Sequence, residues 1–323
     1  MNRRNALIAL ASSPLWPAIA RAQSKRMPVV GMLITHPPVT DPVVEALRDG
    51  LRQRGYEDGK NLKLEVRTAA GDLAKVPALA AEMVRLKADV VVLANEPALR
   101  AMTKASNTMP IVFTGYLDDP VAAGWIKSYR RPGTNVTGVF TANSVLIAKR
   151  LELLKETLPK VSRVAVMWHP GFGERQLDEA NRLSSTLGFQ LQPIEVRGVQ
   201  DLAAAFNTAK TGRAEAILLI WSPVFYVNRV SIVAMGLEAK LPIFSDMSSL
   251  TEAGGLLSYS SLGVASFFRA ADYVDRILKG TKAADLAVEQ MSNIKLVVNS
   301  KTAKALGIKF PESILVRADE VIR

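Results

Sequence analysis

Apolar, often β-branched runs of four to six residues alternate along this chain with longer stretches whose apolar positions recur at helical spacing. The runs predict strands at 29–33, 62–66, 90–93, 111–114, 164–168, 191–196, 217–220 and 242–244. Between them, Val43, Val44, Leu47 and Leu51 share one face of an expected helix over 41–54, and Leu79, Met83 and Leu86 share one face over 75–87. Strands that are apolar throughout are buried on both faces, as in a parallel sheet covered by helices on each side. The alternation predicts the doubly wound α/β class.

The series also runs twice. Strand, helix, strand, helix, strand, helix, strand proceeds from Val29 to Thr114 and again from Val164 to Phe244, with Gly55 and Gly188 ending the first helix of each series. Two similar series predict two similar parallel-sheet lobes. A turn set by Pro132 and Gly133 leads into a short strand at 136–141, and later come a strand at 255–259, a helix over 264–279, a strand at 294–298 and a helix over 301–306. The expected lobes are 27–140 with 252–281, and 141–251 with 282–323. Three crossings between them, near 135–141, 245–251 and 281–288, predict a hinge and a cleft that can close.

In open parallel sheets ligands bind beyond the carboxyl ends of the strands, where loops diverge and helix N-termini present free N–H groups. That rule selects Thr35, His36, Asn95, Glu96, Thr114, Tyr116 and Asp119 from the first lobe, and His169, Trp221, Ser222 and Asp246 from the second, with Tyr259 at the end of a later strand. Each has two readings. His36 and His169 either face each other across the cleft or are solvated on their loops. Trp168, Trp221, Tyr116 and Tyr259 either cap the core or stack on a ligand, and Asp119 either anchors a ligand amine or caps a helix.

The first 22 residues change the picture of where the chain works. Arg3-Arg4, an apolar stretch broken by Pro14 and Pro17, and Ala20-Arg21-Ala22 have the order of a secretory signal cut after Ala22. The stretch is shorter than the roughly 20 residues that span a bilayer. The arginine pair leaves the general and twin-arginine export routes both open. With no cysteine, no lipid is expected on a cysteine, and disulfides and thiol chemistry are excluded. The expected mature protein is a periplasmic monomer, not lipidated.

Loss of three arginines with the leader lowers the formal net charge from +11 to +8, and the remaining Lys and Arg are scattered among Asp and Glu rather than gathered in a stripe. That distribution argues against a nucleic-acid partner. The first strand runs into Ile34-Thr35-His36-Pro37-Pro38, without the glycines of a phosphate loop, and Gly171-Phe172-Gly173 is a lone pair. No G-x-S-x-G elbow and no H-E-x-x-H occurs. The chain therefore reads as a binding protein and not an enzyme, with no cofactor and no metal.

Several long motifs carry a resemblance. They are Pro110-Ile111-Val112-Phe113-Thr114 with Asp119-Pro120-Val121; Arg131-Pro132-Gly133-Thr134-Asn135-Val136-Thr137-Gly138; Glu252-Ala253-Gly254-Gly255-Leu256-Leu257-Ser258-Tyr259; and Ala271-Asp272-Tyr273-Val274-Asp275-Arg276-Ile277-Leu278-Lys279-Gly280. With Leu296-Val297-Val298-Asn299 and Thr302-Ala303-Lys304-Ala305-Leu306-Gly307, they resemble ABC transporter substrate-binding proteins of the tryptophan/tyrosine-binding type over nearly the whole mature chain. The resemblance implies a type I periplasmic-binding fold, capture of an amino acid or organic acid, and delivery to an ABC permease in the inner membrane. A sensor signalling to a membrane partner is the other reading. Three expected site positions depart from the family's usual Gly-Thr-Pro-Ala or Ala-Thr-Pro-Ala, Asn-Pro and Asp-Pro: here they read Asn95-Glu96-Pro97-Ala98, His169-Pro170 and Ser222-Pro223. These departures bear on the ligand and not on the fold.

Overall fold

The computed structural model describes residues 26–35, 42–115, 119–141, 143–261 and 263–323. The expected leader at 1–22 lies outside the described residues, as do His36 and Tyr116.

The first series folds as β1 (Val29–Ile34), β2 (Lys63–Thr68), β3 (Val90–Ala94), β4 (Ile111–Thr114) and β5 (Val136–Phe140), and the second begins with β6 (Arg163–Trp168), β7 (Gln190–Glu195), β8 (Ala216–Leu219), β9 (Ile243–Ser245) and β10 (Leu257–Ser261). Three later strands are β11 (Glu289–Gln290), β12 (Ile294–Asn299) and β13 (Glu320–Ile322). One sheet has six strands in the order β11-β5-β4-β3-β1-β2, and the other seven in the order β13-β12-β10-β9-β8-β6-β7. Every pairing is parallel except β10 with β12. These are the two doubly wound α/β lobes that the alternation predicts.

Alternate side chains of each central strand feed two cores, one on each face of its sheet. On the first lobe Met32, Ile34 and Val92 join Leu47, Ala271 and Val274, while Leu33, Val91 and Leu93 join Met83, Leu99 and Met102. Helix Pro42–Gln53 and helix Gly263–Leu278 cover the first of these faces. They approach closely at Gly50, where a Cβ would lie 2.7 Å from both Ala271 Cβ and Phe268 O.

Pairing of the strands moves the expected lobe boundaries. β10 joins β9 and β12 in the second sheet, so 257–261 belongs with the second lobe and not the first. Helix Gly263–Leu278 returns to the first lobe because its apolar stripe packs on helix Pro42–Gln53, and β11 pairs with β5 in the first sheet. The chain therefore crosses between sheets after β5, after β10 and between β11 and β12. The expected crossing at 245–251 is instead an internal part of the second lobe. Its polar composition hides a short helix, Ser248–Glu252, seated by the buried Leu250 and Thr251. The expected segment 281–288 likewise lies before β11, on the first-lobe side.

Candidate ligand site

The carboxyl ends of β3, β4, β8, β9 and β10 converge on a cavity of about 380 Å³ between the two sheets. That volume lies within the range of small-molecule sites, about 300–1,000 Å³. From the first lobe come Ala94, Asn95 and Gly115, with Pro42, Val43, Gly263 and Val264 from the first turns of the two packed helices. From the second come Trp221, Tyr226, Asp246, Met247 and the start and end of helix Ser248–Glu252, while Ser260 and Ser261 close the cavity where β10 crosses.

Chemistry is divided between the two sides. Asp246 and Glu252 are the charged groups of the lining, and among the described lining residues there is no Lys, Arg or His. Both carboxylates stand on the second lobe. The first lobe instead presents the N-terminal turns of helices of 12 and 16 residues, where partial positive charge gathers. Trp221, Tyr226 and Phe267 supply aromatic wall. The hydroxyl of Ser260 is buried and has no hydrogen-bond partner within the protein, an omission that costs about 1–3 kcal/mol until a polar ligand atom or solvent fills it.

Asn95 shows why this edge is shaped for approach. It sits at φ 77°, ψ 155°, a backbone region that glycine fills without strain. Its side chain offsets the strain by accepting from Ala98 N at 3.2 Å and donating to Thr35 Oγ1 at 2.7 Å. Thr35 is thus a buried support behind Asn95 and not part of the lining. Thr114 likewise turns inward, donating to Leu93 O at 3.3 Å.

The remaining selected residues that the structure describes separate from the cavity for identifiable reasons. Glu96 pairs along its own helix with Arg100. Asp119 accepts from Val121 N at 2.8 Å, Ala122 N at 3.3 Å and Tyr129 Oη at 2.7 Å, which satisfies the capping alternative. The Tyr129 hydroxyl and then the Val121 N–H hold its carboxyl below the usual range. Ser222 caps the helix beginning at Pro223, accepting from Phe225 N at 3.3 Å. His169 is mostly buried, bonds Pro170 O through Nδ1 and meets Phe172 edge-on at 5.6 Å. Phe172 meets Trp221 edge-on at 5.3 Å, so His169 backs the aromatic wall at one remove. Trp168 and Tyr259 pack on the second-lobe core. Of the ten selected residues that the structure describes, Asn95, Trp221 and Asp246 line the cavity.

Sequence reasoning missed the last residues of the crossing strand β10 and those that open helices. Ser260 and Ser261 were accessible to the same strand-end rule, had it been carried two positions past Tyr259. Arg150 gave no signal, standing in the middle of a helix, Asn143–Thr157, among other charged residues. It is nevertheless almost wholly buried, donating from Nε to Tyr259 O at 2.8 Å and from Nη1 to Gln176 Oε1 at 3.2 Å, with Nη1 3.9 Å from Asp246 Oδ2.

Residues 29–322 match the model of the ABC transporter substrate binding protein family. The chain belongs to that family. A solved structure of a conserved domain protein from Vibrio cholerae is similar to this substrate-binding protein at 30% identity, with a TM-score of 0.83 over 92% of this chain and all of the other. An ABC domain from Streptococcus pneumoniae, solved in complex with L-Trp, has 27% identity and a TM-score of 0.83 over the same shares. A tyrosine-binding protein of Clostridioides difficile (strain R20291) is 25% identical over 298 residues, covering 90% of this chain and 84% of the relative. The fold matches type I periplasmic binding proteins, and the family consists of substrate-binding proteins rather than enzymes. Among the described residues, no helix is long and apolar enough to cross a membrane, and no three His, Cys, Asp or Glu residues gather as metal ligands.

Proposed function

We propose that this substrate-binding protein is the exported solute receptor of an ABC importer, and that it captures a zwitterionic amino acid with an aromatic side chain for a permease in the inner membrane. The division of charge across the cavity carries the proposal. An ammonium faces Asp246 and Glu252 on the second lobe, and a carboxylate faces the first turns of helices Pro42–Gln53 and Gly263–Leu278 on the first. A flat apolar body lies against Trp221, Tyr226 and Phe267. Binding each end of one ligand to a different lobe favours the closed cleft, because closure desolvates both contacts together and strengthens them. The L-Trp complex of the pneumococcal relative supports an aromatic amino acid over an organic acid, as does the acidic lining, which repels a lone carboxylate. The signal-like order of residues 1–22 supports export.

Mass spectrometry of small molecules released from protein purified without added ligand, followed by calorimetry with L-tryptophan, L-tyrosine, benzoate and a neutral sugar, tests the proposal. Micromolar or tighter binding of an aromatic amino acid is expected. Preference for the sugar or for benzoate would sink the charge-based assignment.

A further inference from the structure

We infer that Arg150, which does not line the cavity, is a positioning residue for ligand selection: it keeps Asp246 ionised in the floor of the cleft so that the ligand's ammonium meets a full negative charge. The inference rests on the amino-acid proposal above and extends it to a residue outside the cavity. Asp246 is 1% exposed. Burial of a carboxylate without a compensating charge favours its protonated form, and a protonated Asp246 would offer an ammonium only a dipole. The guanidinium of Arg150 stands 3.9 Å from Asp246 Oδ2, both side chains being at most 2% exposed. At that separation in a low-dielectric site the charge of Arg150 strongly favours ionised Asp246, while the distance exceeds that of a hydrogen bond between these two atoms. Neutral acceptors fix the guanidinium in place: the Tyr259 carbonyl holds Nε, and the Gln176 amide oxygen holds Nη1. The arginine fork therefore acts on Asp246 by charge from behind, while Asp246 itself reaches the cavity wall.

Position strengthens the assignment. Arg150 lies on the first helix after one crossing, and Tyr259 lies on β10 shortly before another, so the charge behind Asp246 is tied to the segments that lead to the first lobe. The other titratable groups of the lining are Glu252, which is exposed and adds negative charge, and Tyr226. Neither can supply the compensation that Arg150 provides.

The test uses the mature full chain and three probes: L-tryptophan, tryptamine, which lacks the carboxylate, and indole-3-propionate, which lacks the ammonium. Calorimetry is run at about pH 6 and about pH 8 on the wild type, Arg150→Met and Arg150→Lys. The wild type should bind tryptophan alike at both values. In Arg150→Met, Asp246 is protonated at the lower pH, so tryptophan and tryptamine should bind about tenfold or more weakly there and recover toward pH 8. Indole-3-propionate should be unaffected, and Arg150→Lys should restore the wild-type profile. A purely structural arginine would alter melting temperature and all three probes together without a pH dependence. A folded Arg150→Met protein with wild-type tryptophan affinity at both pH values overturns the role of Arg150 alone, whereas wild-type protein that binds none of the probes overturns the amino-acid proposal and this role with it. Should Arg150→Met fail to fold, carboxyl-carbon NMR of the wild type decides: Asp246 ionised from about pH 5 to about pH 8 supports the inference, and a titration midpoint above about pH 6 overturns it.

Discussion

The hydroxyl of Thr141 donates to that of Ser261 at 3.0 Å, joining the segment that leaves the first lobe after β5 to the segment that leaves the second after β10. Both residues are more than nine-tenths buried. Met291 N donates to Phe140 O at 2.7 Å beside them, which draws the third crossing into the same bundle. Three crossings bonded side by side are expected to bend together as one hinge, since rotation of one strains its bonds to the others.

Coupling between Thr141 and Ser261 is open to measurement. Thr141→Val and Ser261→Ala should each lower stability by about 1 kcal/mol, and the double variant should cost less than the sum of the two. Urea unfolding of the four proteins gives the cycle. Strict additivity would show that the bond contributes nothing. Scattering with saturating ligand should also show compaction of the wild type, and superimposable curves would remove the hinge.

Two aspartates that the chain offers as candidates should behave oppositely. Asp119→Ala should lower stability by about 1 kcal/mol through loss of its turn and Tyr129 bonds and leave affinity for an aromatic amino acid unchanged. Asp246→Asn should weaken that affinity by about 2 kcal/mol or more. Calorimetry of folded variants separates them, and an Asp119 variant with lost affinity would return that residue to the site.

The Asp119–Tyr129 pair also predicts an acid response. Asp119 titrates below its ordinary value in the folded protein, so its stabilisation is present above about pH 4 and is lost as pH falls through the depressed value. Tyr129 is pushed up to about 12, by burial first and the Asp119 carboxylate second. Its contribution is present below the unfolded value of about pH 10 and is lost as pH rises through the folded one. The melting-temperature gap between wild type and Tyr129→Phe should therefore stay level near neutrality and narrow below about pH 4. A gap that widens on acidification would contradict the assignment.

Gly50 tests the packing that carries two helix N-termini to the cavity. Alanine normally stabilises a helix interior by about 1 kcal/mol relative to glycine. Here the added Cβ meets Ala271 and the Phe268 carbonyl at 2.7 Å. Gly50→Ala should be destabilising by about 1–3 kcal/mol by thermal or urea melting. A stabilised variant would show that the helices can separate freely.

Much of this protein was legible in its sequence because local patterns are set by neighbours in the chain. Apolar runs such as Val90–Ala94 cannot be solvated on either face, which dictates a covered sheet, and Asn95-Glu96-Pro97 announces a helix start whatever surrounds it. The strand-end rule accordingly reached Asn95, Trp221 and Asp246. The tertiary structure decided which lobe each late element joins, since Leu257–Ser261 and Gly263–Leu278 are adjacent in sequence yet pack on opposite sides of the cleft. It decided that Asp119, Thr114 and Ser222 spend their polar atoms on the protein, because a carboxylate or hydroxyl bonds whichever donor or acceptor the fold brings near it. It alone brought Arg150 behind Asp246: the two are 96 positions apart, and the charge of a buried residue is set by what surrounds it in space.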